Sequence, residues 1–203
     1  RKLHSSQWGF VCPTESPDGS NTGIINHLTI ISTITSEKST QPILDLLYDL
    51  NMIDIKDSIN SDLINSKVFL NGKWVGLHRN PEKFTKMIKL LKLNGFIHVY
   101  TSIYWNISSN EIHIFTDSGR IVRPIFVLFQ GYNRLIHSEE QVLEWNQVIF
   151  GYMYNIDKTI SLDKDTYYRD EFLKLRKTKD YINILIESSS PIEYIDSNES
   201  EAA

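Results

Sequence analysis

The chain has 203 residues, 41% hydrophobic and 23% charged, with a formal net charge of −4 and one cysteine. That composition suits a globular protein with a sizeable core, and it excludes a disulfide framework, since Cys12 has no second thiol to pair with. A free-standing nucleic-acid binder usually carries a basic excess, so any contact with nucleic acid is expected through a local patch or within a larger assembly. No apolar run reaches membrane-spanning length, and the opening Arg1-Lys2-Leu3-His4 has neither an initiator Met nor a signal-peptide core. The expectation is an intracellular piece cut from a longer protein.

Residues 1–27 carry Gly9, Pro13, Pro17, Gly19 and Gly23 with Ser, Thr and Asn between them, which reads as one long loop. Loops of that length are usually functional or packed on something else. Residues 28–35 are β-branched and largely alternating, which predicts a strand. Thr40 is placed to cap a helix with Pro42 in its first turn, and Ile43, Leu44, Leu47 and Leu50 supply an apolar face. Residues 67–77 predict a hairpin about Asn71-Gly72, a pair suited to the positive φ angles of a type I′ turn. Asn80-Pro81 then predicts a capped helix to about Leu93, stopped by Asn94-Gly95.

Phe96–Trp105, Glu111–Thr116 and Arg120–Phe129 read as strands, the last two joined by Asp117-Ser118-Gly119. Residues 138–155 and 165–177 are weaker helix candidates. Tyr181–Ile186 reads as a strand or buried segment, Pro191–Ile195 as a short apolar piece, and Ser197–Ala203 as a disordered polar tail. Hairpins with helices between them indicate an α+β fold, with candidate boundaries near 36–41 and 106–110.

The candidate chemistry is sparse. His4, His27, His78, His98, His113 and His137 are scattered, without metal-ligand spacing. Ser16 is not in a nucleophile elbow, and Cys12 has no histidine at a recognisable spacing. Glu15 and Asp18 flank Ser16-Pro17. Pro17-Asp18-Gly19 reads first as a turn, and second as a stiff mount for two carboxylates facing a basic partner. Lys83, Lys86, Lys89 and Lys92 read as a solvated helix face rather than a phosphate ridge. No acidic residue precedes Glu15, so the first loop is locally basic.

One pattern goes further. Arg1, His4, Trp8, Gly9, Cys12, Pro13, Glu15, Pro17, Gly19 and Gly23 stand in the order and spacing of a signature of the second-largest subunit of multisubunit DNA-directed RNA polymerases, and the chain resembles that family. Ser16, Asp18 and Ile24 depart from the signature conservatively. Val68–Gly76, His78-Arg79-Asn80-Pro81, Phe115–Pro124 and Glu193-Tyr194-Ile195-Asp196 resemble later segments of the same family, in the same order. Residues 130–180 match poorly. The Trp8 and His-Arg-Asn-Pro segments resemble the eukaryotic, archaeal or large-DNA-virus type.

The resemblance implies an α+β fragment in which residues 1–36 end a fork region, 41–105 and 110–196 form two external domains, and 197–203 are a polar tail. It implies a part in DNA-templated transcription beside the active-centre cleft, with the largest subunit, other polymerase subunits, the DNA template and the RNA–DNA hybrid as partners, and no membrane. Arg1 and His4 would lie near nucleic acid or nucleotide. Glu15, Asp18 and Asn21 would contact partner subunits, and Pro17, Gly19 and Gly23 would set turn geometry. No catalytic residue, metal ligand or cofactor is expected in this fragment. Mg²⁺ would belong to the whole enzyme, held by the largest subunit. The location would be the nucleus in a cellular eukaryote, or host cytoplasm or virion for a virus. The rival reading is a scaffold without nucleic-acid contact.

Overall fold

The computed structural model describes residues 4–56, 65–128, 144–151 and 167–202. Two sheets and a set of helices make an α+β fold. The larger sheet has the order β2-β4-β3-β6-β5, built from β2 (Ile53–Asp54), β3 (Ser66–Leu70), β4 (Lys73–His78), β5 (Ser102–Asn106) and β6 (Glu111–Phe115). Only the β3–β6 pair is parallel; the other neighbours run antiparallel. Strand alternation drives Val68, Leu70, Ile103, Ile112 and Ile114 to one face. There they meet Ile43, Leu46 and Leu47 of α1 (Gln41–Asp49) and Phe84, Ile88 and Leu91 of α2 (Pro81–Leu93) in one core.

Local chemistry explains several elements. Asn71 and Gly72 both take positive φ, 48° and 77°, at the hairpin between β3 and β4. The Asn80 side chain accepts from the Lys83 N–H at 3.1 Å and starts α2, with Pro81 in its first turn. Thr40 does not cap α1 through its side chain. The Ser39 hydroxyl accepts from the Gln41 N–H at 3.4 Å instead.

The smaller sheet, β1-β7-β8, joins β1 (Thr33–Ile34), β7 (Ile121–Phe126) and β8 (Ile192–Asp196), all antiparallel. Buried Thr35 ties its base together. Its main chain pairs with Arg120 and Gly119, and its hydroxyl donates to Asp117 O at 2.9 Å. The chain therefore leaves the first loop beside the point where it returns from the larger sheet. Residues 106–110 form the turn between the paired strands β5 and β6.

Four expectations need correction. The strand over 28–35 shrinks to Thr33–Ile34, because Ser32 bonds back to Thr29 O through both its N–H and its hydroxyl and makes a turn. Phe96–Trp105 is strand only from Ser102, because a turn closes from Thr101 N–H to His98 O. Tyr181–Ile186 belongs to a helix, α5 (Tyr181–Ser188); Leu185 and Ser188 are buried on its inner face, and a short apolar run does not tell helix from strand. The polar tail is also a helix, α6 (Ser197–Ala202), with Glu199 buried.

The helix candidates at 138–155 and 165–177 are seen as α3 (Trp145–Phe150) and α4 (Arg169–Arg176); residues 138–143, 152–155 and 165–166 lie outside the described residues. α4 docks on the end of α1 through Asp49. Arg169 donates to both carboxylate oxygens at 2.7 and 2.8 Å, and the Tyr167 hydroxyl donates at 3.1 Å. The Arg169 guanidinium holds the Asp49 carboxyl below its usual range, outweighing the upward push of burial. A depressed folded value means stability that is present above the unfolded carboxylate pKa and lost as pH falls through the folded one. Asp49→Asn should therefore flatten the acid limb of stability against pH, measured by urea unfolding between about pH 5 and 2. An acid limb identical to wild type would refute this role.

Candidate functional site

The first loop is the part of the fold with the most exposed chemistry. It opens with a 3-10 turn at Ser5–Gln7, capped by His4. The imidazole Nδ1 accepts from the Ser6 N–H at 3.2 Å, and the His4 N–H donates to Gln7 Oε1 at 3.1 Å. Arg1 lies outside the described residues. Past the turn, Val11 bridges Leu28, the Cys12 N–H donates to His27 O at 2.8 Å, and the Thr29 hydroxyl donates to Gly9 O at 2.7 Å. The loop is thus an extended excursion closed at its neck.

Its tip carries the carboxylates. Asp18 Oδ1 accepts from the Gly19 N–H at 2.8 Å and caps a second 3-10 turn, Gly19–Asn21. Gly19 has φ +81° with open space around it, and Gly23 has φ +79°. The Gly23 N–H donates to Ser16 Oγ at 2.8 Å, which closes the tip over half-buried Pro17. Glu15, Asp18 and Asn21 are all exposed. Glu15 sits 3.7 Å from the His27 ring, a loose surface pair worth little to stability. The Thr14 side chain, then the Thr14 and Glu15 backbone, hydrogen-bond Cys12 and lower its thiol pKa.

The loop also exposes apolar surface. Trp8 and Ile24 are each 72% accessible, and Ile25, Leu28, Ile30, Ile31 and Ile34 are exposed. Between residues 4 and 34 the one buried side chain is Phe10, at 3%. Sequence reasoning passed over its partner. Arg123 of β7 lies over the Phe10 ring, with 5.2 Å from its guanidinium carbon to the ring centroid. The available signals were the Gly9 beside Phe10 and the arginine before Pro124.

A second cluster also went unread. Lys92 of α2 is 1% exposed rather than solvated. Its ammonium donates to Thr101 O at 3.0 Å and Tyr194 O at 2.9 Å, and lies 3.1 Å from Glu193 and 3.6 Å from Glu199. Glu199 in turn accepts from the Ile103 N–H at 3.0 Å. This cluster ties α2, β5, β8 and α6 together, and α6 lies beside the Ser5–Gln7 turn. Among the described residues no three His, Cys, Asp or Glu side chains come together to hold a metal, and no helix is long and apolar enough to cross a membrane.

Comparison with known proteins matches two stretches of the chain. The family model described as RNA polymerase Rpb2, domain 3 matches residues 1–34, and that described as RNA polymerase Rpb2, domain 4 matches residues 68–128. The chain is 31% identical over 202 residues to the DNA-directed RNA polymerase II subunit RPB2 of Eremothecium gossypii, covering 99% of this chain and 16% of that protein. It is 32% identical over 202 residues to the RPB2 of Schizosaccharomyces pombe, covering 99% and 15%. The archaeal subunit Rpo2 of Saccharolobus shibatae is 28% identical over 182 residues, covering 81% and 16%. With ordered motifs, two successive domain matches and near-complete alignment to these relatives, the chain belongs to the family of second-largest subunits of DNA-directed RNA polymerases, as a piece spanning about one sixth of their length.

Proposed function

We propose that residues 1–35 form part of the wall of the active-centre cleft near the RNA–DNA hybrid, and that the chain serves DNA-templated transcription within a nucleotidyltransferase assembly. The observation that carries this reading is the build of the loop. One buried side chain, Phe10, anchors it, with β1 pairing at its end and α6 beside its first turn, while Glu15, Asp18 and Asn21 are presented on a tip stiffened by Pro17, Gly19 and Gly23. A scaffold-facing loop would bury more of itself. In this reading Arg1 and His4 lie near nucleic acid or the incoming nucleotide, and Glu15, Asp18 and Asn21 accept from basic groups of the largest subunit. The fragment supplies geometry and charge, not the reacting metal. In this reading the Mg²⁺ of the whole enzyme is held by the largest subunit.

Residues 1–36 are read as the end of the fork and 41–105 as the first external domain. Residues 110–196 are read as the second, followed by the segment 197–203. The cellular place follows the source: nucleus for a eukaryotic polymerase, host cytoplasm or virion for a viral one.

Asp18→Ala in the assembled polymerase should change the elongation rate and leave assembly intact. Its carboxylate makes one local bond, to Gly19 N–H, and is otherwise free to act outward. Unchanged elongation with failed assembly would reduce Asp18 to a turn residue. The apolar strip from Trp8 to Ile34 favours a second reading, in which the loop is a docking surface for other subunits without nucleic-acid contact. Crosslinking from residues 4–28 in a transcribing complex separates the two: adducts to nucleic acid support the cleft, and adducts to protein alone support docking.

A further inference from the structure

We infer that Arg123 is a positioning residue for the first loop, setting the angle at which the loop leaves the β1-β7-β8 sheet; the inference rests on the cleft reading above. The first loop touches its scaffold with little. Phe10 is its one buried side chain, and Arg123 roofs the Phe10 ring. The contact is close on its other side too. Gly9 has φ +78°, and a Cβ there would lie 2.7 Å from Arg123 Cδ and 2.9 Å from Nε. Only a glycine lets the arginine stem pass.

Nothing else accounts for the arginine. Among the described residues it makes no ion pair, and its buried Nε has no hydrogen-bond partner. An arginine kept in that state is held for its flat, cationic surface over the ring. Its mount is rigid, because Arg123 pairs with Ile195 within the β7–β8 ladder and its neighbour Val122 pairs with both Thr33 of β1 and Asp196. Its target is equally fixed. The Phe10 N–H donates to Gln7 O at 3.0 Å, and Phe10 O accepts from the Thr29 N–H at 3.1 Å. Arg123 therefore meets the loop's neck at Phe10, whose backbone is bonded to the opposite strand at Thr29, three residues from the turn that His4 caps and five from Glu15. A small tilt there is carried to the loop tip, and misplacement by an ångström is costly to a reacting geometry.

The test uses the assembled polymerase with Arg123→Ala, Arg123→Lys and Gly9→Ala, reading hydrogen exchange by segment and single-nucleotide addition. Arg123→Ala should raise exchange in residues 4–29, leave α2 and the five-stranded sheet unchanged, and slow nucleotide addition about tenfold or more at saturating substrate. Arg123→Lys should rescue little, because a point charge does not replace the flat guanidinium. Gly9→Ala, which presses on the same contact from the loop side, should reproduce the slow addition, and it serves as the test if Arg123→Ala does not assemble. Unchanged exchange in 4–29 overturns the inference and leaves the cleft reading standing. Raised exchange throughout the sheet makes Arg123 merely structural and overturns it as well. A loosened loop with normal nucleotide addition overturns both the inference and the cleft reading.

Discussion

Lys92→Met should destabilise the folded chain by about 3–5 kcal/mol, the usual result of removing one partner from a buried ion pair. The side chain is 1% exposed and faces Glu193 and Glu199, so a methionine of similar shape takes away the cation nearest Glu193 and leaves buried Glu199 with Lys89 alone, 3.7 Å off. It also leaves Thr101 O and Tyr194 O without their donor. Urea unfolding of the chain measures the loss; a change below about 1 kcal/mol, the scale of a surface pair, would sink the idea. Adding Glu193→Met and Glu199→Gln to Lys92→Met should recover much of the loss. The buried charge then goes as a unit, while the Gln carbonyl still accepts from the Ile103 N–H.

The same cluster carries a pH signature. Burial alone would push Lys92 down, but the Glu199 and Glu193 carboxylates outweigh it and raise the lysine. A raised folded value gives stability that is complete below the unfolded lysine pKa and is lost as pH rises through the folded value. Burial pushes Glu193 up, and Lys92 more than reverses that, so its contribution is lost as pH falls through its depressed folded value. Burial dominates at Glu199 and raises it, so it favours the folded state most at acid pH and gives this up as pH climbs through its folded value. The gap between wild type and Lys92→Met should therefore narrow at the alkaline end.

Why was this cluster hidden in the sequence when the hairpin and the α2 cap were plain? Asn71-Gly72 and Asn80-Pro81 act through their own backbone, so type and position suffice. Lys83, Lys86, Lys89 and Lys92 looked like one solvated stripe. Residues three apart on a helix step back by about 60°, so three steps turn the stripe to the opposite side. Lys83 and Lys86 face water and Lys92 faces the core. The last helix had a local mark that composition concealed. Asp196 and Glu199 stand as a capping box, with the Glu199 N–H donating to Asp196 Oδ1 at 2.8 Å and Glu199 Oε2 accepting from the Asp196 N–H at 3.4 Å.

The loop divides the same way. Pro17, Asp18 and Gly19 fix their tip through adjacent atoms. The grip of Arg123 on Phe10 joins residues more than a hundred positions apart, and no local pattern encodes it. Glycines share this limit: their positive φ is a local matter, but what stands next to them is not. Gly151 ends α3 at φ +76°, and there the ends of α2 and α5 converge. A Cβ would lie 2.6 Å from Ser188 O and 2.8 Å from Leu93 O, both backbone atoms. Neither can move freely, because Leu93 O accepts from the Ser190 N–H at 2.9 Å and the Ser188 hydroxyl donates to buried Asn94 at 2.7 Å.

Gly151→Ala should therefore lose more than Gly119→Ala, although both glycines have φ near +80°. Gly119 has no atom within 4 Å of an added Cβ, so alanine there bears only the left-handed strain of about 1–2 kcal/mol. At Gly151 φ 76° comes with ψ −177°, a backbone conformation essentially reserved for glycine, and that strain is joined by overpacking against fixed carbonyls, roughly a further 1–3 kcal/mol. Paired urea unfolding of the two variants measures this excess at Gly151 directly. Equal losses would mean that the α2, α3 and α5 termini yield to the methyl group. The convergence of helix ends at Gly151 would then be a loose contact, and the hydrogen bonds of Ser188, Ser190 and Asn94 would have to shift with it.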